Sequence, residues 1–201
     1  MNVKLLLSLA MGAMLLSGCS TYRYMQPVEA AADAPVARVA TAGKSVVTFY
    51  RASYVGMAIS APIAYEKDGK AETIGILESG HKIEQVLEPG DYAFVVGGES
   101  SNLLRARLDP NRRYYVSVSP RLGLMKARFA FRPLSADELK SGRFIKDIEG
   151  CKLVEPNESL NVWIAANQQS MDEKLEKAIR AWEGNGKAAI LDGTNAVTER
   201  Y

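Results

Sequence analysis

From residue 45 onward, apolar residues recur at every second position in short runs. Residues 45–51, SVVTFYR, are β-branched and aromatic and predict a strand. Further strands are predicted over 57–66, 72–77, 81–88 and 91–98, with Pro62 marking an edge or bulge. Asp68-Gly69 and Pro89-Gly90 supply turns between them. In 102–108 the alternation places Leu104, Ala106 and Leu108 inward and Arg105 and Arg107 outward. In 113–119, Tyr114, Val116 and Val118 share one face, leaving Arg113, Tyr115, Ser117 and Ser119 on the other. In 126–131, Ala127, Phe129 and Phe131 point inward and Lys126, Arg128 and Arg132 outward. Short strands at regular spacing predict an antiparallel β-sandwich of seven or eight strands spanning residues 44–133.

After Pro133 the period changes. Ser135 with Glu138 three residues on predicts a short capped helix. From 157 to about 183, Leu160, Trp163, Ile164, Asn167, Met171, Leu175, Ile179 and Trp182 follow helical spacing, and Gly184-Asn185-Gly186 ends the run. The expected C-terminal amphipathic helix either packs on the sandwich or offers its stripe to a partner; packing is the preferred reading. Residues 134–186 form this helical extension, and 187–201 read as a loose tail. Residues 20–43, rich in Ala and Pro without periodicity, read as a tether. About 24 residues of coil span roughly 25 Å, and at most about 80 Å extended, so the body is expected to stand off its anchor.

The first residues change the picture. Met1-Asn2-Val3-Lys4 precedes an apolar run from Leu5 to Leu16, the form of a secretory signal. The run is too short to span a membrane, which takes about 20 apolar residues. Leu16-Ser17-Gly18-Cys19 resembles the lipobox of bacterial lipoproteins. That resemblance implies removal of residues 1–18, a lipid thioether on Cys19 and acylation of the new amino terminus. Ser20 follows the cysteine, which by the same resemblance implies the outer membrane, with the body facing the periplasm.

The segment VVTFYRASYVGMAISAPIAYEKDGKAETIGILESGHKIEQVLEPGDYAF, followed by RRYYVSV, resembles a bacterial family known only as a domain of unknown function. The resemblance covers Val46 to Pro133. It implies a small transthyretin-like or PEGA-like β-sandwich in an envelope protein and brings no catalytic residues.

Charge and rare residues then narrow the function. The chain carries a formal net charge of +2, and Lys4 is the only charge in residues 1–18, so the remainder is +1. Such a total implies no bulk affinity for nucleic acid. The charge is nevertheless uneven. Between Arg105 and Arg132 eight basic residues face only Asp109, a local net of +7. If the three strands there are neighbours, Arg105, Arg107, Arg113, Tyr115, Lys126, Arg128 and Arg132 form one face suited to an anionic partner. That partner would be lipid headgroups, an anionic envelope polymer or an envelope protein.

With one histidine, a His-rich metal site is excluded. With Cys19 lipidated, Cys151 is alone and reads as a buried hydrophobe. A His81–Cys151 dyad lacks a nucleophile motif, and no G-x-S-x-G is present. Neither a catalytic set, a metal nor a cofactor is therefore expected. The leading expectation is a membrane-anchored interaction or scaffold module of the envelope. The alternatives are an accessory lipoprotein of a secretion machine and a cell-wall modifying hydrolase.

Overall fold

The computed structural model describes residues 23–29, 43–98, 102–121 and 128–198. Cys19 and Lys126 lie outside them. The described residues contain eleven strands: β1 (Met25–Pro27), β2 (Ser45–Arg51), β3 (Ala61–Lys67), β4 (Lys70–Leu77), β5 (His81–Leu87), β6 (Gly90–Val96), β7 (Asn102–Leu108), β8 (Arg113–Arg121), β9 (Arg128–Pro133), β10 (Lys152–Pro156) and β11 (Ala189–Leu191). Two helices, α1 (Gly142–Glu149) and α2 (Glu158–Asn185), complete the fold.

The strands form two sheets packed as a sandwich, ordered β1-β10-β5-β2-β8-β9 and β11-β7-β6-β3-β4. Both are mixed rather than antiparallel, because β2–β8, β10–β5 and β11–β7 run parallel. Between the sheets Phe49 meets Phe94 and Phe131 at ring separations of 5.3 and 5.6 Å. Strand β2 is buried along its whole length. Val47 and Phe49 face the core, and on the other side Tyr50 packs against Phe144, so the strand is covered on both faces.

The long helix α2 packs on the outer face of the five-stranded sheet, as preferred above. Met171, Leu175 and Ala178 settle over Ala64, Ala71, Ala93 and Val95. Three alanines there leave room for the helix to approach. Its polar residues also serve the sheet: Asp172 accepts from the Ala71 amide at 2.7 Å, and Gln168 donates to the Ala71 carbonyl at 2.9 Å. Edge strand β4 is thereby covered rather than left as a template for pairing. Gly186 closes the helix at φ +66°, donating its amide to the Trp182 carbonyl at 2.6 Å.

Four expectations are corrected. Residues 57–60 are not strand; they belong to an exposed loop, 52–60, before β3. Within the expected tether, Met25–Pro27 is a strand with Met25 buried in the core. Inside the expected helical extension 134–186, Lys152–Pro156 is not helix but the strand β10. The supposed loose tail pairs β11 with β7, and Val197 exchanges backbone hydrogen bonds with Arg113 at 2.8 and 3.0 Å. Replacing the buried Val197 with Ala should therefore cost about 1.5 kcal/mol in urea unfolding; a loose tail would show no change.

Candidate functional site

A cleft of about 620 Å³ opens on the outer face of the six-stranded sheet. Its lining comes from four places. Tyr50 and Ser53 mark the end of β2, Ser117 and Ser119 are on β8, Arg132 is on β9, and Glu138, Arg143 and Asp147 come from the helical segment.

That segment is held by local chemistry. Glu138 accepts from the Ser135 amide at 2.9 Å, and the Ser135 hydroxyl accepts from the Glu138 amide at 3.3 Å, the reciprocal cap read from the sequence. Ser141 caps α1 by accepting from the Phe144 amide at 3.2 Å. Phe144 and Ile148, four residues apart, form the buried stripe of α1. Phe144 meets Tyr50 and Tyr115 edge-on, at 5.9 and 5.2 Å, fastening the helix to neighbouring strands β2 and β8.

The charges in the cleft balance. Arg132 bonds Glu138 at 2.5 Å, and Arg143 lies 4.0 Å from Asp147. The Ser135 amide, with Arg132 beside it, holds the Glu138 carboxyl below the usual carboxylate range. Burial pushes the Tyr50 phenol up to about 12, against the opposing effects of Ser117 and Arg132. The Ser117 and Ser119 hydroxyls stand 3.4 Å apart. Such a cleft offers hydrogen bonds from hydroxyls and paired charges, with little net field. It suits a polar segment without strong net charge.

The expected basic face is not assembled. Arg105 and Arg107 lie on β7 of the five-stranded sheet, while Arg113, Tyr115, Arg128 and Arg132 belong to β8 and β9 of the other. The alternation within each strand is as read, but the strands are not all neighbours. The Arg105 guanidinium covers the Trp182 ring at 4.7 Å, and Arg107 stands 3.7 Å from Asp91, its register partner on β6. Arg113 is buried, 3.8 Å from Glu84. Tyr115, expected at the exposed centre, is 1 % exposed because α1 covers it. Arg132 reaches the cleft, and Arg128 is exposed at the start of β9.

No protein-family model matches this chain, and no curated protein or solved structure matches it either.

Cys151 sits in the apolar cluster with Leu139, Phe144 and Ile148, and burial pushes its thiol up to about 11. That is the opposite of the shift a nucleophilic cysteine needs. The sequence reading missed Tyr50, Ser53, Arg143 and Asp147 as lining residues. Ser141 followed by Phe144 and Ile148 at helical spacing was the available signal for α1 and its rim.

Proposed function

We propose that this protein is a lipid-anchored, non-enzymatic interaction module of the cell envelope, held at the membrane through Cys19. Its cleft would receive a polar segment of another envelope component. The observation carrying this reading is the cleft beside α1, where hydroxyls and two internally paired ion pairs line an open depression. Charges that already neutralise each other orient a polar ligand without demanding an opposite net charge. The lipobox-like Leu16-Ser17-Gly18-Cys19 supports the location.

The test is photo-crosslinking in intact cells expressing the full chain. A crosslinker replacing Arg143, whose side chain is 92 % exposed at the cleft rim, should yield a discrete adduct. One replacing exposed Arg112, in the turn before β8, should not. Equal labelling at both positions, or none at either, would overturn the cleft as a binding site.

A further inference from the structure

Loop 52–60 exposes four large apolar side chains in succession. Tyr54 is 73 % exposed, Val55 60 %, Met57 63 % and Ile59 40 %. Scattered apolar exposure is ordinary; four such residues on one nine-residue loop form a patch. The loop is also built. Arg51, at the end of β2, is fully buried and donates to the carbonyls of Val55 at 3.2 Å, Gly56 at 2.7 Å and Ile59 at 2.5 Å. The Ile59 amide returns to the Gly56 carbonyl at 3.0 Å, and Gly56 takes φ +67°. The carbonyls of Val55, Gly56 and Ile59 are thus held inward while four apolar side chains face out. Carbonyls satisfied in this way reduce the cost of taking this stretch of backbone into a region poor in water.

Position decides what meets this loop. Ser79 donates to the Ser53 carbonyl at 2.8 Å, and Ser60 reaches Glu78 at 3.5 Å, so the loop rests on turn 78–80. Glu78 and His81 line a small cavity together with Arg23 and Tyr24. The described chain therefore begins at the same pole of the sandwich as the apolar loop. Cys19 is four residues before Arg23, a reach of at most about 14 Å. On the loop's other side, a Cβ on Gly56 would stand 3.9 Å from Pro120, next to exposed Arg121 and its register partner Arg128. Glu78 is an acidic group at this pole, and exposed Arg23 and Arg121 are cations suited to phosphate headgroups.

We propose that this pole is a membrane-contact surface, in which Tyr54, Val55, Met57 and Ile59 enter the same bilayer that holds the Cys19 lipid. The inference rests on the anchor reading above and adds an orientation to it. The sandwich sits against the membrane on loop 52–60, with the turns at its opposite end directed away. Several lipid chains at Cys19 already hold the protein stably, so what the loop contact adds is orientation.

The test uses the mature lipidated protein in vesicles of phosphatidylethanolamine and phosphatidylglycerol. Val55→Cys, and separately Arg112→Cys at the opposite pole, are labelled with an environment-sensitive fluorophore; buried Cys151 is left unlabelled in the folded protein. The expected result is a blue shift at position 55 and quenching there by bromine-labelled lipid, with water-like emission at position 112. Water-like emission at both positions in protein that still floats with the vesicles overturns the insertion and leaves the anchor standing. Protein that does not float overturns both. A blue shift at position 55 that requires another envelope protein also overturns the proposal, by assigning the loop to a protein partner.

Discussion

Arg51→Met should lower the unfolding free energy by about 4 kcal/mol and free loop 52–60 from the sandwich. The guanidinium makes three hydrogen bonds to loop carbonyls and lies 5.0 Å from the Phe129 ring. Hydrogen bonds to a charged group contribute about 1.5–3 kcal/mol each. The full sum is not expected, because the loosened carbonyls of Val55 and Gly56 regain water. Methionine keeps the apolar stem and removes the fork. Lysine should rescue little, since one ammonium on a flexible stem does not reproduce a planar fork aimed at three acceptors. Urea unfolding and hydrogen exchange check this together. A loss under about 1 kcal/mol, with the Ile59 amide still protected, would show that the loop holds itself.

The second large effect is expected at Gly75. A Cβ there would meet Met25 Cε at 2.8 Å, Ile83 Cδ1 at 3.0 Å and Met25 Sδ at 3.1 Å. Met25 fills this space and accepts from the Ile76 amide through its sulfur at 3.4 Å. Gly75→Val should therefore expel Met25 and cost about 3 kcal/mol, from overpacking and lost burial together. The rest of β1 should loosen as the Met25 backbone shifts and strains the bonds from Asn157 to the Tyr24 and Met25 carbonyls, at 3.1 and 3.2 Å. The decisive control is the Met25→Ala background, where the same Gly75 substitution should cost much less. Equal costs in both backgrounds would place the strain elsewhere. Release of β1 also unties Arg23 from the pole beside loop 52–60, so this variant should lose the blue shift at position 55 while keeping its anchor.

Much of the sandwich was legible because its strands carry their own pattern. Leu104, Ala106 and Leu108 face the core, and Phe129 and Phe131 do likewise, as alternation requires. The Ser135–Glu138 cap and the glycine end of α2 were equally readable, since each needs only residues close in sequence. The candidate cleft was half legible: Ser117, Ser119 and Arg132 were placed outward, but what stood over them was not known.

The chain alone therefore determined which residues alternate, where the long helix runs and where it stops. The tertiary structure decided everything that depends on a partner far along the chain. It set β7 in one sheet and β8 with β9 in the other, which divides the basic stretch between two faces. It buried Tyr115 beneath Phe144 and drew Met25–Pro27 and Ala189–Leu191 into the sheets. Strands of three residues have no period to read; they exist because a neighbouring edge supplies the other half of their hydrogen bonds. Arg51 makes the same point, because an arginine ending a strand reads as exposed until the loop carbonyls that enclose it are in place.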